Sequence, residues 1–183
     1  SDKSLGKYVV SYFAPTSREA SGPSAPSGVK PIVGIFYPVK TYKGKYKPKN
    51  PSKYLGHPTN IVYRSSWERQ CMLYFDKNDS IVKWGSEEIV IPYRSPLDRR
   101  VHRYFVDFII KVKNTKGDFE THLIEVKPYN QTKPPKATSR KTRRYLNEVT
   151  TYLVNEGKWK AANEYCKDRR WKFQIITENE LGR

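Results

Sequence analysis

The sequence predicts a mixed α/β domain, a β-sheet core flanked by helices, behind an extended basic N-terminal arm. Three observations predict it. Two β-rich apolar runs meet at a polar turn in mid-chain, helical periodicity appears on both sides of them, and composition shifts near residue 57. The expected division is an arm over 1–57 and a folded domain over 58–183. At 183 residues the chain is long enough for one good core.

The arm comes first. Ser, Pro and Gly fill Pro15–Pro31, which suits flexible or extended backbone. Tyr42, Tyr46 and Tyr54 then alternate with Lys40, Lys43, Lys45, Lys47, Lys49 and Lys53. Through residue 57 there are ten Lys or Arg against two acids. Such a stretch suits following phosphates and stacking on bases, or another protein surface; the plain alternative is a solvated tail.

The first helix is expected from Ser65 or Ser66, as cap, to about Asn78. Trp67, Cys71, Met72, Tyr74 and Phe75 supply its apolar face. Glu68 shares a stripe with Met72 and Phe75 at i, i+4 and i+7, which points it toward the core side. Ser65-x-x-Glu68 is also the pattern of a capping box. Val82–Trp84 and Glu88–Tyr93 read as strands. The loop 94–103 carries Arg94, Arg99, Arg100 and Arg103 beside His102.

Next come the two apolar runs, Tyr104–Val112 and Phe119–Val126, around Asn114-Thr115-Lys116-Gly117-Asp118. Val, Ile, Phe and Tyr on either side of Asn, Gly and Asp read as a β-hairpin. A turn centred on Lys116 makes the numbers of opposed residues sum to 232, which sets Asp107 across from Glu125. The side-chain period of two returns Lys127 to the face of Glu125. Opposed carboxylates repel, so a cation is expected between them. Hard oxygen donors on rigid strands suit Mg²⁺, or Mn²⁺ in its place. The neighbouring lysine would stabilise charge on a phosphate or orient the attacking water. The alternative is a solvated sheet face, its acids offset by Lys127 and Lys111.

Pro128–Pro135 breaks the sheet. Two helices follow, Ser139–Glu156 and, after Gly157, Lys158–Arg169, and Trp171–Thr177 reads as a closing strand. Arg140, Lys141, Arg143 and Arg144 crowd the start of the first of these helices. Positive charge there opposes the macrodipole, so an external anion, phosphate above all, is the expected reason for it.

Composition narrows the function further. A net charge of +17 and a pI near 9.8 attract nucleic acid or an anionic membrane surface. No run of 18 apolar residues exists, which excludes a transmembrane helix, and the first residues lack the apolar core of a signal peptide. Cys71, Cys166 and the three histidines 57, 102 and 122 offer no zinc-site spacing and no convincing Ser or Cys nucleophile with its base. The cysteines are expected as reduced core residues.

Asp107 followed, after a hairpin, by Glu125-Val126-Lys127 resembles the core of the PD-(D/E)XK nuclease superfamily. The wider pattern runs Arg64-Ser65-Ser66-Trp67-Glu68, Trp84, Glu88, Ile91-Pro92-Tyr93, Tyr104 to Phe108, and Ile124 to Pro128. It looks like the transposase-associated endonucleases of that superfamily, and more closely the head completion nucleases of T-even-type tailed phages. Val106 stands where the usual proline precedes the first aspartate; proline there shapes the strand and ligates nothing. The resemblance begins near Tyr42 and implies a restriction-endonuclease-like sheet core.

It also implies a Mg²⁺-dependent DNA endonuclease in which Asp107 and Glu125 bind the ion, Glu68 on the first helix reaches it, and Lys127 positions water or phosphate. Double-stranded DNA would meet Arg64, Arg99, Arg100, Lys133, Arg140, Lys141, Arg143 and Arg144. The implied setting is the head–tail neck of a virion, with portal, neck or capsid proteins as partners, and the host cytoplasm during assembly. Two further readings are a structural connector that uses a nuclease fold to contact DNA, and a transposon-end nuclease.

Overall fold

A computed structural model describes residues 42–181. Eight strands and two helices follow in the order β1 (Gly44–Tyr46), β2 (Ile61–Tyr63), α1 (Ser66–Lys77), β3 (Ile81–Ser86), β4 (Val90–Arg94), β5 (Val101–Phe105), β6 (Phe108–Lys113), β7 (Phe119–Val126), α2 (Arg143–Arg169) and β8 (Lys172–Ile176). The main sheet is ordered β3-β6-β7-β8, and β1–β2 and β4–β5 form separate two-stranded pairs. This is the mixed α/β, restriction-endonuclease-like architecture that the sequence predicts.

The central hairpin has the expected register. Phe108 pairs with Ile124 and Lys113 with Phe119, and every pair between them keeps the sum of 232. The turn explains this. The Asn114 side-chain oxygen accepts from the N–H groups of Lys116 and Asp118, the Gly117 N–H reaches the Asn114 carbonyl, and Gly117 takes φ +89. That left-handed conformation is open to glycine at little steric cost.

β7 also pairs with β8, in parallel, after the chain crosses over through α2. The sheet is therefore covered on both faces, which is why its strands read as nearly unbroken apolar runs. Phe108, Ile110, Ile124 and Val126 pack with Cys71, Met72 and Phe75 of α1. Ile109 and Leu123, on the other face, pack with Ala162 and Cys166 of α2 and with Ile91, Tyr93 and Tyr104 of the β4–β5 hairpin. Cys71 and Cys166 are buried free thiols, as expected.

Three expectations are corrected. The first concerns the arm, of which residues 1–41 lie outside the described part. Residues 42–57 are no arm. Tyr46 and Tyr54 are buried with their rings against Trp84, and β1 pairs with β2. Asp76, fully buried on α1, accepts from the N–H groups of Lys49 and Asn50 and from the Tyr46 hydroxyl. A lone buried carboxylate is costly, so these donors tie residues 46–50 to the helix. The second is the apolar run Tyr104–Val112, which is divided. Tyr104 belongs to β5 and pairs with Ile91, whereas β6 starts at Phe108, so Asp107 sits at the break between two sheets.

The third is the helix boundary at Gly157. α2 runs through it without interruption. The helix packs closely on the β4–β5 hairpin there: a Cβ at 157 would lie 3.3 Å from Pro96 Cδ, tighter than ordinary contact. Replacing Gly157 by Leu raises helix propensity by about 1 kcal/mol. We nonetheless expect Gly157→Leu to lower stability by about 1–3 kcal/mol through overpacking. A thermal melt at or above the wild-type midpoint would show that helix and hairpin do not press together.

Candidate active site

The pairing of β6 with β7 ends at Phe108 and Ile124. Asp107, at a bend just before Phe108, and Glu125, which follows Ile124 within β7, are the next residues on the two chains, and each lies within the other's electrostatic reach. β7 lies between β6 and β8, and Glu125 is accordingly buried. Both of its oxygens are held. The Tyr104 hydroxyl donates to Oε2 at 2.7 Å, and the Lys127 Nζ lies 3.0 Å from Oε1. Asp107 is half-buried and accepts through Oδ2 from the Val126 N–H at 2.8 Å.

The electrostatics follow from this crowding. Burial, and then the charge of Glu125, push the Asp107 carboxyl up to about 7 against the opposing pull of Lys127 and the Val126 N–H. For Lys127, burial favours loss of the proton, but the charges of Glu125, Asp107 and Glu68 outweigh it and hold the ammonium above its usual range. At neutral pH the lysine is a fixed positive charge, not a base. A carboxylate destabilised by burial and by the charge of its neighbour gains from a divalent cation, and the donors of both acids are the hard oxygens such an ion takes.

Glu68 occupies the capping box. Ser65 caps α1, its hydroxyl oxygen accepting from the Glu68 N–H at 3.1 Å. The Glu68 carboxylate accepts from the Arg64 N–H at 2.7 Å and from the Ser65 hydroxyl at 3.1 Å. Its charge still reaches Asp107 and Lys127. Among the described residues, however, no three Asp, Glu, His or Cys side chains converge on one point. Glu68 is held at the helix cap, within electrostatic reach of Asp107 and Lys127.

The expected DNA contacts fall into three places. Arg64 lies beside the carboxylates, its guanidinium 2.6 Å from Glu87 and within the field of Glu68 and Asp107. Arg99 and Arg100 sit in the loop at the tip of the β4–β5 hairpin, where Arg99 takes φ +58. Arg140, Lys141, Arg143 and Arg144 are exposed around the start of α2, which Thr142 caps and whose first turn holds no acid. Arg144 pairs with Glu148 along the helix, and Lys133 lies over the Tyr129 ring at 4.5 Å.

Two participants were not legible as such. Tyr104 reads as an ordinary apolar residue of a strand, and only the packing of the β4–β5 hairpin on the sheet turns its hydroxyl onto Glu125. Glu87 adopts φ +56, donates its N–H to the Asp107 carbonyl oxygen at 3.1 Å and holds Arg64. A left-handed glutamate leaves no mark in a sequence.

Comparison with known proteins adds two findings. Residues 78–178 match the family model described as TnsA-like endonuclease N terminal. The chain is also similar to the head completion nuclease of Enterobacteria phage T4. The two are 43% identical over 144 residues, which is 76% of this chain and 93% of that protein.

Proposed function

From the premise that the chain belongs to the TnsA-like endonuclease family, we propose a Mg²⁺-dependent DNA endonuclease that hydrolyses phosphodiester bonds during phage head completion. The observation that carries it is the grouping of Asp107, bonded to the Val126 N–H at 2.8 Å, with the neighbouring Glu125 and with Lys127, 3.0 Å from Glu125. Asp107 and Glu125 would hold the ion. When bound, it supplies Lewis acidity, easing deprotonation of water and offsetting charge that gathers on the phosphate.

The protein's own groups do the rest. Tyr104 fixes the orientation of the Glu125 carboxylate, and the Val126 N–H does the same for Asp107. Lys127, permanently charged, faces the phosphate and stabilises the added negative charge of the transition state. Arg64 stands ready to leave Glu87 for a phosphate oxygen, since an arginine fork matches both partners. A net charge of +17 draws the DNA in.

The setting we propose is the head–tail neck of a virion, with portal, neck or capsid proteins nearby. The name of the T4 relative supports it. The connector reading, motivated by a free Tyr/Lys arm, is weakened because Tyr46 and Tyr54 are core residues.

The test is a plasmid-nicking assay on wild type and Glu125→Ala, with Mg²⁺ or with EDTA. Wild type should nick only with the ion, and Glu125→Ala should lose about 10²–10³-fold in rate. Nicking that survives chelation rejects the metal mechanism.

A further inference from the structure

An open cleft of about 1280 Å³ lies between the segment after β7 and the first turns of α2. Its lining has an unusual composition. Tyr129, Tyr145 and Tyr152 contribute aromatic rings, and Lys133, Lys136 and Arg144 contribute cations. Glu148 is the one acid in the lining, and Arg144 already pairs with it at 2.9 Å. Arg140, Lys141 and Arg143 flank the entrance to α2 with no acid in its first turn. The wall formed by α2 is a single helical face, since 144, 145, 148, 151 and 152 recur at the three- and four-residue spacing of neighbours.

The cleft is also joined to the site. The Lys127 N–H donates to the Ile176 carbonyl oxygen at 2.9 Å, and the Tyr129 N–H donates to Glu178 Oε2 at 2.8 Å. The chain leaving the carboxylates is thus pinned to the end of β8, and Tyr129 starts two residues after Lys127, about 7 Å of extended backbone.

Double-stranded DNA presents phosphates and groove edges but hides the faces of its bases. Cations alone would serve it. Tyrosine rings gathered in a concavity are useful to bases that are unpaired, because stacking needs an open face. We propose that this cleft binds unpaired nucleotides of the DNA substrate on Tyr129, Tyr145 and Tyr152. Lys133, placed against the Tyr129 ring, and Lys136 take the phosphates between them. The enzyme would then act on DNA that carries a single-stranded segment beside the scissile bond. This rests on the endonuclease reading for its substrate, while the binding itself is measured without cleavage.

The experiment uses the full chain in EDTA, with fluorescence anisotropy on labelled dT₁₂ and on a blunt 20-base-pair duplex. Tyr129→Ala and Tyr145→Ala should each weaken dT₁₂ binding about tenfold and change duplex binding less than twofold. Tyr129→Phe should keep wild-type binding of dT₁₂, since the ring remains. Tyr129 is exposed, so it decides the matter if Tyr145→Ala fails to fold. Equal losses on both ligands would make the cleft a duplex seat, and unchanged binding of both would leave it to a protein segment; either result overturns the proposal. Absence of Mg²⁺-dependent nicking in the wild type would end the endonuclease reading alone, with the anisotropy series still deciding the cleft.

Discussion

Asp107→Asn should reduce Mg²⁺-dependent nicking by about a thousandfold while making the metal-free protein more stable at neutral pH. Both effects have one cause. In the folded chain the Asp107 carboxyl is pushed up to about 7, first by burial and then by Glu125, whereas in an unfolded chain an aspartate titrates near about 3.9. Between those values the folded state keeps a proton that the unfolded chain has released. Stability therefore falls as pH rises from about 4 through about 7, and the loss is complete above that window. Asn keeps an oxygen for the Val126 N–H but carries no charge, so its urea midpoint should lack this fall. A divalent ion must displace the same proton, so metal binding by the wild type should strengthen as pH rises through about 7. Mg²⁺ should then raise the wild-type melting temperature at pH 8 and leave that of Asp107→Asn unmoved. Identical stability profiles in EDTA, or undiminished nicking, would remove Asp107 from the site.

Lys127→Met should cost both fold and activity. Glu125 is 3% exposed at the side chain and Lys127 26%, so the ammonium is the main compensation for a carboxylate shut away from water. Removing one partner of a buried pair costs about 3–5 kcal/mol, and the partial exposure of Lys127 places this case near the lower end. Tyr104 still donates to Oε2, which limits the loss without neutralising the charge. The rate should fall about 10²–10³-fold. The double variant Lys127→Met/Glu125→Gln separates the two effects: without a buried charge, stability should recover toward wild type, and nicking should not. A double variant as unstable as Lys127→Met would mean that the ion pair is not what Lys127 contributes to the fold. Recovery of nicking would deny both groups a part in the chemistry.

Much of this geometry was readable in advance, and the reasons are local. The turn Asn114–Asp118 encodes its own register, because Asn114 and Gly117 favour one conformation and the period of two carries that choice along the hairpin to Phe108 and Ile124, the neighbours of Asp107 and Glu125. Ser65 and Glu68 announce the start of α1 by the same kind of short-range hydrogen bonding. Where prediction failed, the deciding contact came from far along the chain. Gly157 looked like a helix break because glycine has poor propensity, yet the helix continues through it against Pro96, some sixty residues away, which leaves little room for a side chain. Tyr46 and Tyr54 looked like members of a basic arm because lysines surround them, but Trp84 and Asp76 take them into the core. Tyr104 and Glu87 acquire their parts only when the β4–β5 hairpin and the turn after β3 meet the sheet end.

By itself, then, the sequence determined the strand register, the helix cap, the charge and the family of the chain, since hydrogen bonds within a few residues and side-chain periodicity suffice for these. Only the tertiary structure decided which groups surround the two acids. It also decided where the tyrosine-lined cleft opens, because burial and electric field depend on which distant segments pack together.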